Sequence, residues 1–113
     1  MARLSTHVLD TSRGKPAAGM QIRLYGNGEL MVTAETNADG RTPEALLAGE
    51  RIATGTYELI FAVGAYFRAA GEALPDPAFL DEVVVRFGIA DPSGNYHVPL
   101  LVSPYGYSTY RGS

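Results

Sequence analysis

The chain contains no cysteine, which excludes disulfide staples, thiolate metal sites and cysteine nucleophiles together. A hydrophobic core must hold it without covalent help, and 113 residues suffice: folding at this length buries roughly two-thirds of the surface the unfolded chain exposes. Nothing marks a second unit, so one domain over residues 1–113 is expected. Basic residues are few and scattered, nine Lys and Arg against twelve Asp and Glu, for a formal net charge of −3. No cationic stripe tracks a phosphate backbone, and no nucleic-acid partner is expected. Long apolar runs are missing as well. The longest, Leu59 to Phe67, is less than half the roughly 20 residues that a membrane-crossing helix needs. No membrane partner is expected. The opening Met-Ala-Arg-Leu-Ser-Thr-His-Val turns polar before an apolar signal core can form, and the closing Arg-Gly-Ser is not a peroxisomal address, so a cytoplasmic location is the default expectation. Histidine is also scarce. Only His7 and His97 occur, without the further nearby ligand that zinc usually requires, so no metal is expected.

What the chain has instead is punctuation. Thirteen glycines and seven prolines fall mostly between short stretches of alternating polarity, the pattern of an all-β domain. Met20, Ile22 and Leu24 alternate with Gln21, Arg23 and Tyr25, and Gly26-Asn27-Gly28 reads as a hairpin turn. A weaker strand over 31–36 closes at the turn Asn37-Ala38-Asp39-Gly40. Residues 46–53 fit either a loop or a short edge strand. Tyr57, Leu59, Phe61 and Val63 predict a further strand. Residues 65–70 predict one short helix ending at Gly71. Val83, Val85, Phe87 and Ile89 alternate inward before the turn Asp91-Pro92-Ser93-Gly94. Residues 96–102 predict a strand whose Pro99 belongs at an edge or a bulge, because it cannot donate a ladder bond. With a first strand over 4–10 and a last from about Tyr105, the sum is seven or eight strands and one helix, packed as a two-layer antiparallel β-sandwich.

The residues able to do chemistry are few. Alternation sets His7 on one face with Ser5 and Leu9, and His97 with Pro99 and Leu101; neither pattern says which face is core. Asp10 is expected to end its strand by accepting bonds from backbone amides. Ser5, Ser108 and Ser113 invite a serine-hydrolase reading, but the Gly-x-Ser-x-Gly elbow is absent and an open sandwich lacks its strand-to-helix turn. Gly26-Asn27-Gly28 is no phosphate loop, since no helix follows it.

Three blocks together resemble the 5-hydroxyisourate hydrolases of the transthyretin-related family. They are Leu4-Ser5-Thr6-His7-Val8-Leu9-Asp10-Thr11 with Gly14, Pro16 and Ala17; Asp39-Gly40-Arg41; and Tyr96-His97-Val98-Pro99-Leu100 continuing to the terminal Tyr110-Arg111-Gly112-Ser113. With Gly55-Thr56-Tyr57-Glu58 and Gly64-Ala65-Tyr66-Phe67 between them, the likeness runs end to end. It departs at Phe79-Leu80-Asp81-Glu82, where relatives often carry an aromatic residue followed by Pro-Glu. The resemblance implies a transthyretin-like (prealbumin-like) sandwich of two four-stranded sheets with one short helix. It further implies a homotetramer, a dimer of dimers with sites at the subunit interface, that uses no cofactor. The implied reaction, a step of urate breakdown, hydrolyses 5-hydroxyisourate to 2-oxo-4-hydroxy-4-carboxy-5-ureidoimidazoline. His7, Arg41, His97 and Ser113 are the implied catalytic residues, and His7, Arg41, Tyr110 and Arg111 the implied substrate contacts.

Hydrolysing a ring lactam needs a base for water, donors for the charge that develops on oxygen, and a means of orienting a flat polar ring. A histidine near an arginine stays neutral more of the time. Arginine offers a planar fork of donors. His7 is expected to orient or deprotonate water and His97 to bond substrate or the leaving nitrogen, though the two roles can be exchanged. Tyr110 is assigned to the ring and Ser113 to the polar network. The alternatives are a non-enzymatic transthyretin-like carrier and an immunoglobulin-like interaction module.

Overall fold

The computed structural model describes residues 2–112. Its strands are β1 (Arg3–Asp10), β2 (Lys15–Pro16), β3 (Gln21–Gly26), β4 (Glu29–Glu35), β5 (Leu47–Ala48), β6 (Gly55–Phe61), β7 (Val83–Ile89), β8 (Asn95–Ser103) and β9 (Gly106–Thr109), with helix α1 (Val63–Ala69) between β6 and β7. One sheet runs β2-β1-β8-β9, with β5 added to β1; the other runs β4-β3-β6-β7. The all-β sandwich is as expected, with two differences of detail. The first sheet has a fifth strand, and the fold nine among the described residues, because Lys15–Pro16 pair with Leu9 and Asp10 as β2, which the sequence reading did not expect; the stretch 46–53 resolves into the short edge strand β5, one of its two expected readings, and one 3-10 turn over Gly49–Arg51. The central pair β1–β8 is parallel, unlike every other ladder.

Period-2 alternation builds the core. Leu4, Val8, Ile22, Leu24, Leu59, Phe61, Leu100 and Val102 are all at or below 1% exposure, and fully burying each such side chain contributes about 1.5–3 kcal/mol. Thr6 also faces inward, and its hydroxyl donates to the Val98 carbonyl (2.7 Å). No buried side-chain nitrogen or oxygen among the described residues lacks a partner.

Two expectations shift. Val63 is the first residue of α1 rather than the end of β6, because a helix starting there turns Val63, Gly64, Tyr66 and Phe67 inward at helical spacing. The helix closes as predicted around Gly71: the Glu72 amide donates to the Phe67 carbonyl and the Gly71 amide to that of Arg68, a Schellman cap. Asp81, the departure noted above, ties the return from α1 by accepting the Gly64 N–H on its carbonyl (2.9 Å). The second shift concerns Pro99, which lies in an interior strand and is buried. Its carbonyl accepts the Thr109 hydroxyl (2.7 Å), so its nitrogen faces the β9 side too. There the pairing is interrupted around Pro99, between Leu100–Thr109 and the His97–Gly112 bridge, and the one ladder bond it cannot donate falls in that gap.

Candidate active site

The β1–β8 register decides which way the histidines face. Ser5 lies opposite His97 and His7 opposite Pro99. Because Leu4, Thr6 and Val8 fill the core, Ser5 and His7 point outward; because Tyr96 and Val98 do, so does His97. Both histidines are half-buried on the outer sheet face, diagonal neighbours across two adjacent strands.

Arg41 reaches them from a distant turn. The Asn37 side chain accepts the amides of Asp39 (2.9 Å) and Arg41 (3.2 Å), folding 37–41 back on itself. The turn then docks on β1: the Val8 amide donates to the Gly40 carbonyl (2.8 Å), and Arg41 forms a bridge with His7. Gly40 permits this approach. Its φ is +76° and a β-carbon there would lie 2.3 Å from the Val8 carbonyl oxygen, so no other residue fits without moving the turn. Gly40→Ala is expected to cost about 2–3 kcal/mol of stability and to lower turnover, measured by denaturant unfolding and by rate on the folded fraction. Wild-type values for both would show that the turn does not depend on this contact.

Hydrogen bonds fix each ring. His7 Nε2 donates to the Asp39 carbonyl (2.8 Å); a carbonyl only accepts, so the His7 proton is on Nε2 and the lone pair of the neutral ring on Nδ1. His97 Nδ1 lies 2.9 Å from Ser5 Oγ. Its backbone carbonyl accepts the Gly112 amide (2.7 Å). The ring rests on Gly112, where a β-carbon would come within 2.6 Å of Cδ2. Burial first, then the Arg41 charge, then His7, holds the His97 pKa below the usual 6.5. A cleft of about 490 Å³ opens beside it, lined by Arg3, Ser5, Arg41, Glu44, Asn95 and His97 among others. Its wall, the segment from Thr42, is braced by the Thr42 hydroxyl on the Glu44 carbonyl.

His7, Arg41 and His97 therefore meet, although they come from β1, a turn and β8. Tyr110 and Arg111 do not join them. Arg111 donates to the Asn95 carbonyl (3.1 Å) and its guanidinium stacks 4.2 Å from the Tyr96 ring centre. With Tyr110 it borders a separate groove of about 310 Å³ at the open edge between β7 and β8. Ser113 lies outside the described residues. Among the described residues, no three His, Asp or Glu side chains gather as a metal cage. Two partners escaped the sequence reading: the Asp39 carbonyl, which carries no sequence signal, and Ser5, weighed there only as a nucleophile. Its spacing two before His7, on the same strand face, was the available signal.

Residues 4–112 match the HIUase/Transthyretin family. A curated relative, 5-hydroxyisourate hydrolase 2 of Rhizobium meliloti (strain 1021), is 60% identical over 115 aligned residues, covering 98% of this chain and 96% of its own. Among solved structures, (S)-allantoin synthase superposes with a TM-score of 0.95 at 43% identity; 99% of this chain is matched, but the chain spans 44% of that protein. The 5-hydroxyisourate hydrolase of Klebsiella pneumoniae superposes at 0.84 with 38% identity, covering 98% and 99% of the two chains. Sea bream transthyretin, solved in complex with thyroxine, superposes at 0.85 with 26% identity, covering 97% and 94%.

Proposed function

The chain belongs to the HIUase/Transthyretin family, and we propose that it is an enzyme of the hydrolase branch, converting 5-hydroxyisourate to 2-oxo-4-hydroxy-4-carboxy-5-ureidoimidazoline. One observation carries this reading: two histidines and an arginine from three separate segments converge on one outward sheet face. The comparison supports it, since the chain is 60% identical to a 5-hydroxyisourate hydrolase and 26% identical to a transthyretin that binds thyroxine.

In the proposed mechanism, His7 Nδ1 takes a proton from water as the water oxygen bonds to the lactam carbonyl carbon. The Asp39 carbonyl holds the resulting imidazolium through Nε2–H. Arg41 and His97 Nε2–H donate to the oxygen on which charge develops, and such donors typically contribute about 3–4 kcal/mol each to the transition state. The lactam C–N bond then breaks, and the proton on His7 passes to the leaving nitrogen. No metal or organic cofactor enters these steps. Ser113 is assigned to the polar network around the ring. Arg111, held on Asn95 and Tyr96, anchors the tail; because Tyr110 borders the separate groove within its own subunit, its assigned ring contact would be made to the site of a neighbouring subunit.

The site is open on the outer face of its sheet, where the half-buried Leu9 and Leu101 flank His7 and Pro99, and in and beside the edge strand β9 Tyr105, Tyr107 and Tyr110 are 63%, 47% and 60% exposed. These apolar groups support burial between subunits of a cytoplasmic homotetramer, a dimer of dimers with sites at the interface. Following the ultraviolet absorbance of freshly generated 5-hydroxyisourate tests the function. Decay faster than the spontaneous rate is expected. Decay at the spontaneous rate, with binding of an aromatic ligand retained, would leave the carrier reading instead.

A further inference from the structure

Ser5 has no part in the chemistry just described, yet its hydroxyl is the only side-chain partner of His97 among the described residues. The two residues lie directly opposite each other on the parallel β1–β8 pair. We infer that Ser5 is a positioning residue, donating its hydroxyl proton to His97 Nδ1 and so holding the imidazole in the tautomer that carries hydrogen on Nε2.

Donation in this direction follows from what surrounds the pair. Ser5 Oγ has no other hydrogen-bond partner among the described residues. If it accepted from Nδ1–H, its own proton would be left without an acceptor at a half-buried position. Donation to Nδ1 satisfies both groups. The neighbouring Arg41 and His7 disfavour a positive ring at His97, which keeps Nδ1 free to accept. The ring has little room to turn away, because Gly112 presses on the Cδ2 side. Resting on the proposed hydrolase reading, the inference also divides the labour that sequence leaves open. The Asp39 carbonyl makes His7 the ring with a free Nδ1 lone pair, and Ser5 makes His97 the ring with an outward donor. Two chemically identical side chains thereby receive opposite tasks from their fixed partners.

Nitrogen-15 NMR of the imidazoles in the wild-type protein reads the tautomer without substrate, so its result is separate from the outcome of the hydrolase assay. An unprotonated Nδ1 and a protonated Nε2 at His97 are expected at neutral pH; the reverse assignment overturns the proposal. In Ser5→Ala the His97 signals should move toward a mixture of tautomers, and its titration should shift to higher pH because a bond to the neutral ring has been removed. kcat should fall about tenfold, the scale of one lost hydrogen bond, with KM changed less than about twofold. Ser5→Thr keeps the hydroxyl and should restore the wild-type tautomer and rate. A Ser5→Ala protein with unchanged tautomer and unchanged kcat overturns the proposal, as does failure of a folded Ser5→Thr to rescue the tautomer.

Discussion

His7→Asn and His97→Asn are each expected to lower kcat/KM for 5-hydroxyisourate by about 10²- to 10⁴-fold, the range a positioned acid–base or oxyanion group contributes, while the sandwich stays folded. The fold is safe because both side chains lie on the outer face of β1–β8 and neither fills the core. Backbone bonding at these positions, including the Gly112 amide on the His97 carbonyl, is indifferent to the side chain. The two losses should differ in kind. Without His7 no group takes the proton from water, and hydroxide-dependent rescue at high pH is expected. Without His97 the developing oxyanion loses one donor but keeps Arg41, so kcat should fall without that rescue. If the two act on one transition state, the double variant should lose much less than the product of the single losses. Circular dichroism and steady-state kinetics on the three proteins decide the matter. Full activity in a folded single variant removes that histidine from the mechanism.

Much of the scaffold was legible in sequence because sheets declare themselves by local alternation. Met20, Ile22 and Leu24, or Val83, Val85 and Ile89, can be assigned a common face from neighbouring residues alone, and all six are buried. The turns at Asn37–Gly40 and Asp91–Gly94 are local too, set by side chains that bond their own backbone. What was illegible depends on partners far away in the chain. Whether His7 points in or out is undecidable from Ser5, His7 and Leu9, since both faces of β1 carry apolar residues. Its parallel pairing with β8, about 92 residues on, settles it. Pro99 misled for the same reason: its place at an edge follows from its own chemistry, but its tolerance inside β8 follows from the local break in pairing between Thr109 and Gly112. Arg41 was legible as the end of a turn, and its approach to His7 was available only through the resemblance. Tyr110 and Arg111 show the limit of a motif, which groups residues by sequence. Alternation and the open sandwich edge turn Arg111 onto Tyr96 and away from the histidines.

Asp10→Ala is expected to cost the fold about 3–5 kcal/mol, as removal of one member of a buried charged network does, against a typical total of 5–15 kcal/mol. The carboxylate has 0% exposure and sits where β1 meets α1. Oδ1 accepts the Ser12 hydroxyl (2.6 Å) and the amides of Ser12 (3.1 Å) and Arg13 (3.2 Å), while Oδ2 accepts the Tyr66 hydroxyl (2.8 Å) and Arg13 Nη1 (3.3 Å). Arg13 in turn donates to the Ala70 carbonyl (2.9 Å), so one anion latches the sheet to the helix end. Alanine would strand these donors, and the melting temperature should drop on the order of 20 °C. Tyr66→Phe removes a single bond and should cost about 1–2 kcal/mol, which separates loss of the latch from loss of helix packing. The pH dependence follows from the same contacts. Burial works to raise the Asp10 pKa, but the bonds from Ser12, Tyr66 and the Arg13 amide, with the Arg13 charge, outweigh it and hold the value below the ordinary 3.8. The unfolded chain therefore binds the proton more readily. This contribution is fully present above about pH 4 and is lost as pH falls from there through the depressed folded value. Unfolding free energies measured between pH 7 and pH 2 should decline steeply below pH 4 in the wild type and less steeply in Asp10→Asn, which has no proton left to bind. Parallel slopes in the two proteins would mean that acid lability resides in other carboxylates.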